Sequence, residues 1–232
     1  ILTIKRALNR RLQMIGFWDY TVILTYVSFA SAVSGIFFAI SGRPQWAVFC
    51  LAFSGFCDMF DGKIARTKKG RTEEEKSFGI QIDSLCDIVC FGVLPIVICY
   101  KIGMTHFYSL IILTLYGLAG LIRLAYFNVV EEKRQNETND ARKYYQGLPI
   151  TSMAMALPVL FVSSPLFPDG QMFMIALHIL VAVIGILFIT NFKFRKPTTL
   201  EIFLLVIAIA AAVGMLLFCR ADWWRYFHIR HR

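Results

Sequence analysis

Apolar runs of about 20 residues, the length needed to cross a hydrocarbon core roughly 30 Å thick, recur from Asp19 almost to the end of the chain. Seven windows qualify, near 19–41, 44–62, 79–100, 106–127, 147–165, 171–191 and 200–219. With 57% hydrophobic residues and a mean hydropathy of +0.62, the composition lies outside the range of ordinary soluble domains. The expected fold is all-α, a polytopic transmembrane helix bundle of six to eight spans.

Three segments are expected. Residues 1–18 form an amphipathic juxtamembrane helix, residues 19–219 the transmembrane domain and residues 220–232 a basic, aromatic tail. In the first, Ile4, Leu8, Leu12 and Ile15 share a face with Lys5, Arg6 and Arg10 turned away, a pattern that suits the headgroup layer or a helix packed on the protein. The opening residues lack the short apolar core and small-residue cleavage site of a signal peptide.

The net charge of +9 does not point to nucleic acid, because of where the cations sit. Seventeen of the 24 Lys and Arg lie in four stretches, 1–18, 63–76, 129–145 and 192–198, which alternate across the spans onto one face. By the positive-inside bias that face is expected to be cytoplasmic, and the expected location is the cytoplasmic membrane, with the active site on the cytoplasmic side. Seven crossings leave the tail, with Arg220, Arg225, Arg230 and Arg232, on the other side, against the same bias. The six cysteines fall in or beside apolar spans and read as small core residues, not as a disulfide or zinc framework.

Against this background the stretch CDMFDGKIARTKKGRTEEEKSFGIQIDSLCD, residues 57–87, stands apart. Asp58 and Asp61 are spaced i, i+3 and Asp83 and Asp87 i, i+4, so each pair occupies one helical face. A short basic loop joins the two helices, which must run antiparallel and carry both pairs at one depth. An ionised Asp at mid-membrane costs about 2.5–3.5 kcal/mol on insertion scales. Lys63 and Arg66 supply two positive charges for four negative ones; two divalent ions would balance them, and oxygen-only ligands favour Mg2+ or Mn2+. A buried salt-bridge network or an ion-conducting path uses the same residue types. Gly62 and Ala65 leave a small-residue notch, open either to a ligand or to a neighbouring helix.

The pattern Asp58-x-x-Asp61-Gly62-x-x-Ala65-Arg66, followed by Gly79-x-x-x-Asp83-x-x-x-Asp87, resembles the signature of the CDP-alcohol phosphatidyltransferase family. FGIQIDSLCDIVCFGVLP, IRLAYFNV and YYQGLPIT look like the corresponding stretches of its membrane-embedded bacterial phosphatidylserine synthase branch, over roughly residues 19–160. The resemblance implies that Asp58, Asp61 and Asp83 hold two divalent metals, with Asp87 beside or on one of them and acting as general base. It implies that Gly62, Ala65, Arg66 and Gly79 border the CDP-lipid, and Thr25 on the first span is a further candidate. The implied reaction moves a phosphatidyl group from CDP-diacylglycerol to L-serine, and the implied assembly is a homodimer.

For the acceptor, Arg123 is the one Lys or Arg well inside a span. It either forks onto the serine carboxylate or neutralises the aspartates. Phe127 and Lys143 are further acceptor-side candidates. The branch commonly has a second arginine where this chain has Tyr126, which leaves another small alcohol open as acceptor. A transporter with buried carboxylates is the reading from a different class.

Overall fold

The computed structural model describes residues 16–17, 20–65, 67–68, 70, 72–137, 144–195 and 214. The amphipathic segment up to residue 15, Arg66, Lys143, the window near 200–219 and the tail therefore lie outside the described residues, apart from Gly214.

After a single 3-10 turn at Tyr20–Val22 the chain enters α1, Ile23–Ile40. Its buried residues, Thr25, Ser28, Ala32, Gly35 and Ala39, are small and recur every three or four positions, so one narrow stripe accepts a close neighbour. The helix stops where Gly42 takes φ +73° and the Arg43 N–H closes back on the Phe38 carbonyl at 2.9 Å. Pro44, which has no N–H to lose at a helix start, opens α2, Pro44–Ala65. The α1/α2 hairpin is pinned by a reciprocal exchange: Ser28 Oγ donates to the Ser54 carbonyl at 3.2 Å, and Ser54 Oγ donates to the Ser28 carbonyl at 3.0 Å. A Cβ on Gly35 would lie 2.9 Å from Cys50 Cβ, so the contact tolerates no side chain there.

The helix after the basic loop starts on exposed polar residues, Thr72, Glu73 and Glu74. Thr72 and Glu75 form a reciprocal capping box, and Glu73, Glu74 and Glu75 place negative charge at the positive end of the helix dipole. This α3, Glu73–Asp87, runs through one wide π turn at Ile88–Val93 into α4, Leu94–Ile102. Gly103, at φ +144°, ends it. The 31-residue α5, Phe107–Glu137, is about 46 Å long at 1.5 Å per residue, more than a bilayer core requires. A 3-10 turn, Ile150–Ser152, leads into α6, Met153–Val162, and α7 is Gly170–Ile189, capped by Asp169 Oδ1 accepting from the Met172 N–H at 2.7 Å.

Among the described residues the architecture is helical apart from one antiparallel pairing of three residues, β1 (Tyr144–Gln146) on β2 (Lys193–Arg195), which has no counterpart in the expected all-α pattern. It joins the loop after α5 to the loop after α7. Beside it, Gly147 adopts φ +72° and its N–H donates to the Phe192 carbonyl at 2.7 Å, while Leu148 N–H donates to the Leu187 carbonyl at 3.3 Å. The loop before α6 is thus plugged onto the carbonyl end of α7.

Among the described residues, four helices are long and apolar enough to cross a membrane: Tyr20–Ile40, Glu73–Ile102, Phe107–Val130 and Gly170–Ile189. Two further apolar windows become α2, of sufficient length but carrying Asp58 and Asp61, and the shorter α6. Ile175, Ile179, Val183 and Ile186 on α7, and Leu115, Leu118, Leu121 and Ile122 on α5, are all exposed. Such outward rows of large apolar side chains suit a lipid environment, so the molecule is an integral membrane protein. Inside, small residues bring the helices together: a Cβ on Gly55 of α2 would meet Ala154 Cβ of α6 at 2.6 Å, and one on Gly185 of α7 would touch the Tyr116 backbone of α5 at 3.4 Å.

A candidate metal centre between α2 and α3

The antiparallel course of α2 and α3 sets which carboxylates meet. On α2 the residue nearer the connecting loop is Asp61 and the deeper one Asp58; on α3 the nearer is Asp83 and the deeper Asp87. Near faces near and deep faces deep: Asp61 lies within hydrogen-bonding range of Asp83, and Asp58 within that of Asp87. Asp58, Asp83 and Asp87 each offer one carboxylate oxygen to a group whose members all lie within 4.8 Å of one another. Asp61, only 8% exposed, stands outside that three-oxygen group, in range of Asp83 at its edge.

The donor set is compatible with a divalent cation. Oxygens around an ion held at about 2.1 Å lie roughly 3 Å apart when cis and about 4.2 Å apart when trans, so these three need move by little to share one. All are hard, anionic oxygens, the donors of Mg2+-like ions and not of zinc or copper.

Behind the carboxylates lies a seam of thiols and hydroxyls. Cys86 Sγ donates to the Thr25 carbonyl at 3.3 Å and sits 3.5 Å from Cys90 Sγ, which is in turn 3.5 Å from Ser28 Oγ. Thr25, buried on α1, therefore presents its carbonyl to the residue next to Asp87. Through Tyr20, whose hydroxyl lies 3.3 Å from Thr67 Oγ1, the start of α1 also touches the loop between α2 and α3. Gly62 and Ala65 occupy the last turns of α2, and Gly79 lies one turn before Asp83 on α3.

On the other flank, α5 meets α3 through Ser84 Oγ, which donates to Asn128 Oδ1 at 2.7 Å. One turn and a half away, Arg123 is 6% exposed and donates from Nε to the Leu148 carbonyl at 3.0 Å, with its guanidinium 5.8 Å from the centre of the Phe127 ring. Arg123 and Phe127 are thus neighbours, and Arg123 holds the loop that Gly147 plugs onto α7. That tie had no signal in the sequence, because the carbonyl it uses belongs to a residue 25 positions away. His178 links α7 to α5, its Nε2 2.7 Å from Ser109 Oγ and its Nδ1 2.6 Å from the Met174 carbonyl; it is a packing contact remote in sequence from the carboxylates.

A helical membrane bundle whose aspartates converge from two antiparallel helices defines a class, and comparison with known proteins identifies it. Residues 20–190 match the family model for CDP-alcohol phosphatidyltransferase, and the chain belongs to that family. Among named relatives, it is 34% identical over 145 residues to the CDP-diacylglycerol–serine O-phosphatidyltransferase of Saccharomyces cerevisiae, a match covering 60% of this chain and 51% of the yeast protein. The enzyme of that name from Helicobacter pylori is 29% identical over 206 residues, with 82% of this chain and 79% of the relative covered. The one from Mycobacterium bovis is 25% identical over 202 residues, covering 83% and 69%. The match thus spans about half the length of the yeast relative and more of the bacterial ones.

Proposed function

We propose that this protein transfers the phosphatidyl group of CDP-diacylglycerol to the hydroxyl of L-serine, giving phosphatidylserine and CMP. The observation that carries the reading is the convergence of Asp58, Asp83 and Asp87 on one small volume, in a chain similar to serine phosphatidyltransferases over four-fifths of its length.

Asp58, Asp61, Asp83 and Asp87 would hold two divalent ions, Mg2+ or Mn2+, whose charge would screen the pyrophosphate and the departing CMP. Asp87, at the deep end of the cluster, receives the serine hydroxyl proton. As that proton leaves, the serine oxygen bonds to the lipid-side phosphorus and the bond from that phosphorus to the bridging oxygen breaks, so CMP departs with the oxygen and the electron pair. Gly62, Ala65 and Gly79 keep helix surfaces low beside the nucleotide, Arg66 meets its phosphates, and Thr25 borders the same side. Arg123, steadied by the Leu148 carbonyl, recognises the serine carboxylate, with Phe127 and Lys143 on the acceptor side.

The basic loop between α2 and α3 supports a site facing the cytoplasm, within a cytoplasmic membrane. The fuller organisation we favour has six to eight spans in residues 19–219, an interfacial helix at 1–18, a basic tail at 220–232, and two copies in a homodimer, as the family resemblance implies.

The test is purified protein with CDP-diacylglycerol, Mg2+ or Mn2+, and a panel of alcohols, with CMP measured. Release that depends on serine supports the assignment. Release with inositol phosphate or glycerol phosphate instead moves the protein to another branch of the family, and ion flux across vesicles without CMP release under any condition rejects the enzymatic reading.

A further inference from the structure

The helix that carries Asp83 and Asp87 does not keep a constant face. On an ideal wheel of about 100° per residue, the direction of Asp83, Cys86 and Asp87 lies about 100° from that of Leu94, Pro95, Ile98, Cys99 and Ile102. Yet Cys86 on the first stripe and all five residues of the second are buried in the bundle. A single wide turn resolves the conflict, since one extra residue in a turn cancels about 100° of rotation. The turn is Ile88–Val93, where the Leu94 N–H reaches five residues back to the Val89 carbonyl, and it begins directly after Asp87.

Pro95 follows at once. In a regular helix the Phe91 carbonyl would accept from residue 95, which as proline has no N–H and whose ring crowds that same carbonyl. That carbonyl lies among the buried residues Phe91, Gly92 and Leu94. A donor reaches it from another helix: the Tyr116 hydroxyl, on α5 and 2% exposed, donates to it. Tyr116 is itself held from behind by Gly185 of α7 and by the Phe188 ring, 5.6 Å away.

We infer that Tyr116 is a positioning residue for the carboxylate cluster: by supplying the donor that Pro95 lacks, its hydroxyl stabilises the wide turn that aims Asp83 and Asp87 at Asp58 and Asp61. The inference rests on the proposed metal-holding role of those aspartates. Tyr116 touches neither substrate nor metal in this scheme and acts through the backbone of the wide turn that follows α3.

The measurement is Mn2+ binding to purified protein, without lipid or serine, alongside thermal unfolding in EDTA and CMP release. Tyr116→Phe keeps the ring and removes the donor; the half-saturating Mn2+ concentration rises on the order of tenfold, and the KM for serine at saturating Mn2+ stays within about twofold. 4-Aminophenylalanine at position 116, which keeps an N–H donor of similar reach, brings Mn2+ binding back to within about threefold of wild type. A Phe variant with lowered unfolding temperature but wild-type Mn2+ affinity overturns the inference, because Tyr116 would then be a packing residue only. A folded 4-aminophenylalanine protein that binds Mn2+ no better than the Phe variant also overturns it, and stands as the deciding variant if Tyr116→Phe does not fold. Wild-type protein that binds no Mn2+ and releases no CMP rejects the proposed function along with it; wild-type binding and turnover with an indifferent Phe variant rejects the Tyr116 role alone.

Discussion

Replacing Asp58 with Asn is expected to lower activity and raise the stability of the metal-free protein, an inversion that follows from the spacing of the carboxylates. Asp58 shares a group with Asp83 and Asp87 in which no two ligand oxygens are more than 4.8 Å apart. At an effective dielectric constant of about 20, two unit charges at that distance repel by about 3.5 kcal/mol, so Asp58 would experience roughly 7 kcal/mol if all three were ionised. Taking up a proton sets a ceiling on that repulsion, since protonating an ordinary carboxyl at pH 7 costs about 4 kcal/mol. Relief by Asn is therefore about 2–4 kcal/mol once lost hydrogen bonds are allowed for. For a chain of this size that is roughly 4–16 °C in unfolding temperature. The buried thiols Cys50, Cys57, Cys86, Cys90 and Cys99 provide the assay, because a thiol-reactive fluorophore labels them only as the bundle opens. In EDTA, Asp58→Asn should melt above wild type; with excess Mn2+ the wild type should rise to meet or pass it while the variant hardly moves. A variant that melts below wild type in EDTA, with both proteins gaining equally from Mn2+, would show that the carboxylates neither repel one another nor share an ion.

The remaining expectations are more local. Asp87→Asn should reduce CMP release by roughly 10²–10⁴-fold at saturating Mn2+ while CDP-lipid binding remains measurable; unchanged turnover would remove Asp87 from proton transfer. Arg123→Ala should raise the KM for serine more than that for CDP-diacylglycerol, and an equal rise in both would assign Arg123 to holding the Leu148 loop alone. Gly55→Ala, whose Cβ would lie 2.6 Å from Ala154 Cβ, should destabilise by about 1–3 kcal/mol, and Ala154→Gly in the same chain should recover most of the loss in a double-mutant cycle. Gly147→Ala forces a Cβ into the φ +72° conformation, 2.9 Å from the Thr190 carbonyl, at a cost of about 1–2 kcal/mol from backbone strain alone; faster amide exchange at Leu148 would report it.

Much of the bundle is legible in one dimension because its driving pattern is local. Long apolar windows become helices wherever the backbone must satisfy its own hydrogen bonds: α1 and α7 fill theirs to within a few residues, and α5 fills its window and runs ten residues past it into the polar stretch that follows. The count of crossings was harder to read, since the carboxylates that mark α2 also lower its apolar character, and α6 is shortened by the 3-10 turn that precedes it. The three-residue pairing of β1 with β2 had no counterpart in the periodicity, because such short strands are defined by a partner about 50 residues away.

By itself the sequence determined the chemistry available: four carboxylates on two helical faces, at spacings of three and four residues, joined by a loop too short for anything but an antiparallel return. Those are consequences of covalent order and helical pitch. Only the tertiary structure decided which oxygens meet, Asp58 with Asp87 and Asp61 with Asp83, and that three of the four draw into one group while Asp61 stays at its edge. It also decided that a proline eight residues beyond Asp87 is answered by a tyrosine on another helix. The physical reason is common to both: a helix sets angles about its own axis, but the rotation of one helix against another is settled where buried polar groups find partners, and those partners lie far apart along the chain.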